Sequence, residues 1–164
     1  MQAKGEFALV TKNIETARKT SGQPVKRGTM AHEHHMQMLL TEAAAQRGEA
    51  EALQRSLPRL EELAKRDKHK LYAAIAQRAR SVLQRLAGEY DEAEAHLEQA
   101  LEVFSELGTR WQSGRTLFEM GELAAARENP EAARQYYQRA LGEFESLQAL
   151  PDFKRTTAAL QSLK

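Results

Sequence analysis

The densest cluster of chemically capable side chains is Ala31-His32-Glu33-His34-His35. On a helix His32 and His35 stand one turn apart and can share a face, and imidazole is a common ligand for zinc, nickel or copper. The spacing is not His-Glu-x-x-His, and the chain has no cysteine to complete a tetrahedral site. His32 and His35 are therefore weak metal candidates whose expected role is that of surface or groove histidines, and no metal or other cofactor is assigned. Paired carboxylates would suit general acid–base work. Glu61 with Glu62, Glu92 with Glu94, and Glu143 with Glu145 are adjacent or two apart, so on helices they point in different directions and read as solvated faces. Ser113 and Ser146 have no spacing-defined His and Asp partners, and the glycines stand singly rather than in a phosphate-cradling loop. No catalytic residue is assigned, and the chain is read as a non-enzyme.

The elements that must position these residues follow from a repeat. Gly88 to Leu101 carries Ala93, Leu97 and Ala100, and forty residues later the same positions hold Ala133, Tyr137 and Ala140. Gly88-Glu-Tyr-Asp-Glu likewise aligns with Glu128-Asn-Pro-Glu-Ala, and forty residues earlier stand Gly48-Glu-Ala-Glu-Ala, Leu53, Leu57 and Leu60. A fixed period of this size, in units too short to bury their own apolar faces, is the signature of a stacked helical array. Apolar spacing predicts helices over residues 4–20, 29–47, 50–65, 71–88, 91–107, 111–128, 131–147 and 153–163. Phe7, Val10 and Ile14 mark the first, which Ser21-Gly22-Gln23-Pro24 ends. Pro58 falls inside the Leu53, Leu57, Leu60, Leu63 pattern, where it should remove a hydrogen bond and kink the helix.

Composition agrees. Of 164 residues, 41% are hydrophobic and only 6% aromatic, with abundant alanine, which favours closely packed helices. Lys and Arg number 24 against 23 Asp and Glu, interspersed, so nothing in the charge calls for nucleic acid or an anionic membrane. No apolar run approaches the ~18 residues of a membrane span, no signal peptide is evident, and a cytoplasmic location is expected.

Gly121, twelve residues ahead of Ala133 and followed by Tyr137 and Ala140, resembles the tetratricopeptide repeat consensus: a small residue in helix A, then Ala, a large residue and Ala in helix B. The second unit offers Ser81, Ala93, Leu97 and Ala100. The first offers Thr41, Leu53, Leu57 and Leu60, where leucine replaces both alanines and looser packing is expected. The period of forty exceeds the usual ~34 and resembles the longer repeats of bacterial regulators and signalling proteins. The fold implied is an all-α, right-handed α-solenoid of about three antiparallel helix pairs with a C-terminal capping helix. Residues 1–24 would form an N-terminal helix, the remnant of a preceding repeat, and residues 25–164 the repeat domain.

The resemblance also implies a non-catalytic scaffold for protein–protein interaction, with helix A of each repeat lining a concave groove. The matching positions are His35, Met38 and Glu42, then Ile75, Arg78, Val82 and Arg85, then Arg115, Phe118 and Glu122, with Arg155 on the last helix. Arginine mixed with apolar side chains suits an acidic peptide or helix, with Arg78, Arg85 and Arg115 steering it. The Lys and Asn pattern that clamps a C-terminal carboxylate is missing. Trp111 is expected to pack between repeats or anchor a ligand, Tyr137 to fill the core, and Tyr136 to face the convex side. The rival reading is self-association, as the homo-oligomerisation module of a larger bacterial regulator.

Overall fold

A computed structural model describes residues 30–163, with side chains from residue 33 onward. The helix expected over residues 4–20 and the side chain of His32 lie outside the described residues. Seven helices follow one another: α1 Met30–Arg47, α2 Ala50–Arg66, α3 Lys70–Ala87, α4 Tyr90–Glu106, α5 Arg110–Ala126, α6 Pro130–Ser146 and α7 Leu150–Ser162. A helix starts every twenty residues, half the period legible in the sequence.

The regularity has a local cause in the turns. Gly48, Lys68, Gly88, Gly108, Glu128 and Gln148, again twenty apart, all adopt left-handed backbone, with φ between 50° and 82°. The N–H after each one bonds the carbonyl five residues earlier at 2.9–3.0 Å, as Glu49 does to Ala44 and Ala149 to Phe144. Each turn thereby satisfies carbonyls that a helix end leaves open. Asn129 adds a side-chain cap, accepting from the N–H of Ala132 at 3.1 Å, and Pro130 takes the first helical position, where a missing N–H is harmless.

Every helix packs on the next, and the odd-numbered helices also pack on each other, α1 on α3 and α3 on α5. The odd helices thus form one continuous layer, and the even helices flank it. Small residues permit this. Thr41, Ser81 and Gly121 occupy one register of the inner helices, and Leu57, Leu97 and Tyr137 one register of their partners, all buried, with the smallest inner residue matched to the largest partner. At Gly121 the fit is complete: a Cβ there would have three atoms of the Tyr137 ring within 3.0 Å. Gly114 is similarly closed by Phe144, at 2.9 Å.

The core is continuous through α4. Ala100 and Phe104 join a cluster with Leu53, Leu57, Leu60, Ile75 and Val82, while Ala93 and Leu97 join Leu117, Phe118, Ala133, Tyr137 and Phe144. Leu53, Leu57 and Leu60 are all fully buried, each contributing roughly 2 kcal/mol by removal from water. Pro58 does not interrupt α2, which runs unbroken from Ala50 to Arg66. The proline and Gln54, whose carbonyl would have been its partner, are both exposed, so water can replace the lost bond.

Candidate functional site on the inner layer

The inner layer is built by four odd helices whose register brings polar side chains together at the same height. Glu42 of α1 is buried, and its two carboxylate oxygens accept from Arg78 of α3 and Arg115 of α5. One carboxylate therefore ties three helices drawn from three pairs. Arg78 is completed by the Gln112 backbone carbonyl at 2.9 Å, the Gln112 side-chain oxygen at 2.5 Å and Thr116 Oγ1 at 3.3 Å, and it lies over the Phe104 ring at 5.2 Å. Arg115 stacks on Trp111 at 5.0 Å, and the Gln46 side-chain oxygen, in the amide orientation that satisfies both its atoms, accepts from Arg115.

Burial by itself would push the Glu42 carboxyl up. The charges of Arg115 and Arg78 and their hydrogen bonds outweigh it and hold the group below its ordinary value of 4.5. Burial acts against the Arg78 charge as well, with Glu42 opposing, but a guanidinium is basic enough to stay protonated.

A second carboxylate repeats the theme one repeat further along, among α3, α5 and α7. Glu119 is buried and is approached by Arg85 of α3 at 3.3 Å and Arg155 of α7 at 3.7 Å. Arg155 also lies 4.1 Å from the Phe118 ring centroid and donates to the Gln46 backbone carbonyl at 3.3 Å, so a side chain of α7 reaches the backbone of α1 across the layer. Glu122 is 4.0 Å from Arg85 and accepts from the Tyr137 hydroxyl at 2.6 Å. Burial and that bond to Glu122 both raise the Tyr137 phenol above its ordinary range.

The sequence-derived positions thus divide. Glu42, Arg78, Arg85, Arg115, Phe118, Glu122 and Arg155 converge. Ile75 and Val82 instead turn into the core, each 1% exposed. Met38 packs half-buried against the first core cluster, and His35 is exposed on α1. The converging arginines do not line an empty channel: the space beside Arg115, Phe118, Glu119 and Arg155 is filled, and Arg78 and Arg115 already hold a carboxylate. Their side chains are 3% and 6% exposed, whereas those of Arg85 and Arg155 are 17% and 34% exposed and bond at longer range.

Glu119, Gln112 and Gln46 escaped the sequence reading. Glu119 occupies the register of Leu39 and Ala79, apolar in the other units, which marks the position as packing. The four-residue spacing from Arg115 to Glu119 was the available signal. Trp111 is 40% exposed, and its indole N–H donates to Asp152 of α7 at 2.9 Å. Tyr136 is half-buried in a cleft beside Met120 and Ala132, among the even helices.

His34 turns inward, pairing with Asp67 at 2.8 Å and stacking on Tyr72 at 5.5 Å, while His35 points to solvent. Among the described residues no three His, Cys, Asp or Glu side chains are placed to hold a metal ion. No described helix is long and apolar enough to cross a membrane. Of the paired carboxylates, Glu61 pairs with Arg80, Glu62 with Arg59, Glu94 with Arg127 and Glu143 with Arg110.

Residues 72–142 match a family model, that of the tetratricopeptide repeat. The matched residues cover α4 and α5 whole and most of α3 and α6. Repeats of this family are in general protein-interaction scaffolds without catalytic activity. No curated protein matches the chain.

Proposed function

We propose that the chain, whose residues 72–142 match the tetratricopeptide repeat family, binds an acidic segment of a protein partner at the rim of its inner helix layer. The observation that supports this is a charge imbalance: Arg78, Arg85, Arg115 and Arg155 converge on only two buried carboxylates, Glu42 and Glu119. Glu122, 4.0 Å from Arg85, and Asp152, which lines the same space as Arg115 and Arg155 and accepts from Trp111, stand at the edge of this group without a close pair to either arginine. The inner pair, Arg78 and Arg115, is held by the shared, buried Glu42 carboxylate and ties the layer together. Arg85 and Arg155 are the accessible pair, loosely held and reachable by a ligand carboxylate that would complete their bidentate bonding. Exposed Leu39 and half-buried Met38 offer apolar contacts on the same layer. Because the scaffold is ordered before binding, a short partner segment carries most of the ordering entropy.

The interaction can be tested before the partner is identified. A random peptide library selected on the full chain should return sequences enriched in Asp and Glu with interspersed apolar residues. These should lose at least about tenfold in affinity, worth ~1.4 kcal/mol, against Arg85→Glu/Arg155→Glu. Selected peptides without acidic enrichment, or ones that bind the double variant equally well, would place the interface elsewhere.

A further inference from the structure

On the opposite side of the inner layer, between α2 and α4 and above the outer face of α3, lies an open cavity of about 470 Å³. Its rim carries Lys65, Lys68, Lys70 and His96, and its floor is formed by Ala73 and Ala76. That volume lies within the range of small-molecule sites, and the lining is mostly apolar floor under a cationic rim. The one acid on the rim, Glu61, is neutralised by Arg80 through two bonds of 2.6 Å. Among the described residues none of the three lysines has an ion-pair partner, unlike most arginines of the chain. Three unpaired cations around one concavity focus a positive potential there, although the chain as a whole has a net charge of only +1.

The repeat provides an internal control. Forty residues on, the positions of Lys65, Lys68, Lys70 and Arg80 hold Ser105, Gly108, Arg110 and Met120, and forty further they hold Glu145, Gln148, Leu150 and Leu160. His96 corresponds to Tyr136, and Gln77 to the buried Leu117. The fold therefore asks for no cation at the positions of Lys65 and Lys68, and at the next junction the one cation left, Arg110, is paired with Glu143. The collection of lysines is particular to the first junction.

We propose that this cavity binds a small organic phosphate, with the phosphoryl dianion among Lys65, Lys68 and Lys70 and an apolar body over Ala73 and Ala76. Lysines favour phosphate over carboxylate here. They are separate, mobile point donors suited to an anion with three equivalent oxygens, whereas a planar carboxylate is matched by the arginine fork, and the only arginine present is occupied by Glu61.

The site is tested on the full chain by amide NMR titration with phenyl phosphate, inorganic phosphate and neutral benzyl alcohol. Phenyl phosphate should give saturable shifts at the α2–α3 turn and along the first turns of α3, bind more tightly than inorganic phosphate, and weaken with added salt. Lys68→Gln/Lys70→Gln, both exposed positions, should lower its affinity by about tenfold, since each partly exposed ionic contact contributes a factor of a few. Ala73→Leu, at a half-buried position, should weaken phenyl phosphate more than inorganic phosphate. The absence of saturable shifts there, undiminished affinity in the lysine variant, or equal affinity for the two phosphates would each overturn the proposal. Because the cavity shares no lining residue with the Arg85 and Arg155 site, failure here leaves the inner-layer reading standing, and failure there leaves this one.

Discussion

Glu42→Gln removes one charge and almost no volume, yet it should be among the most damaging single changes in the inner layer. The carboxylate is the shared counterion of Arg78 and Arg115, whose side chains are 3% and 6% exposed. An amide can accept one of the bonds but cannot neutralise either guanidinium. Arg78 keeps Gln112 and Thr116, and Arg115 keeps Gln46 and Trp111, so both remain hydrogen-bonded cations without a counterion. Removing one partner of a buried ion pair typically destabilises by about 3–5 kcal/mol, a large share of the ~5–15 kcal/mol of a whole domain. Replacing all three groups with apolar residues, as in Glu42→Leu/Arg78→Met/Arg115→Leu, should instead be near neutral, because the desolvation penalty disappears with the charges.

The assay is urea unfolding followed by circular dichroism, with the slope checked for loss of cooperativity, since helical arrays can open unit by unit. The pH dependence supplies a second signature. The folded Glu42 carboxyl sits below its ordinary 4.5, so its contribution is fully present above that pH and is lost as pH falls toward the folded value. The gap between wild type and Glu42→Gln should therefore be constant near neutrality and shrink below about pH 4.5. A loss under about 1 kcal/mol at pH 7, or a gap that does not shrink in acid, would refute a buried charged centre at Glu42.

Two other predictions concern packing and the turns. Gly121→Ala should destabilise by about 1–3 kcal/mol despite better helix propensity, because its Cβ would overlap the Tyr137 ring. Adding Tyr137→Leu, which approaches the small–Leu combination of Ser81 and Leu97 one unit earlier, should restore much of the loss in thermal melts; no restoration would mean that the two positions do not share one space. Glu128→Gly should raise stability by about 0.5–1 kcal/mol, because Glu128 holds a left-handed φ of 57° where Gly88 and Gly48 stand one and two units earlier. A lower melting temperature for this variant would indicate that the Glu128 side chain contributes more than the backbone strain removes.

The fold was largely legible because packing is periodic. Ala93, Leu97 and Ala100, repeated as Ala133, Tyr137 and Ala140, are 0–2% exposed, and a register of small and large residues survives in sequence wherever two helices must approach closely. Lys68 and Gln148 fall in the expected connections, but their left-handed backbone was not legible, since only hydrogen bonding from the flanking helices forces a residue with a Cβ into that region. Pro58 misled in the opposite sense, because its exposed side of α2 supplies water in place of the missing donor.

The site was legible as a set of positions but not as a set of pairs. Arginines at 78, 85 and 115 stood out by register. That Glu42 would take two of them depends on α1, α3 and α5 converging at one height, which residues 36 and 73 apart in sequence do not announce. Most of the strong cations are therefore spent internally, and the surface left for a partner narrows to Arg85, Arg155 and the apolar side chains beside them.

Hydrogen exchange on the full chain, with and without a selected acidic peptide, tests the central claim most directly. Binding at the inner layer predicts new protection in the second half of α3 around Arg85 and in α7 around Arg155, with α2, α4 and α6 unchanged, and no protection in Arg85→Glu/Arg155→Glu. Protection confined to the even helices, or retained in the double variant, would contradict it.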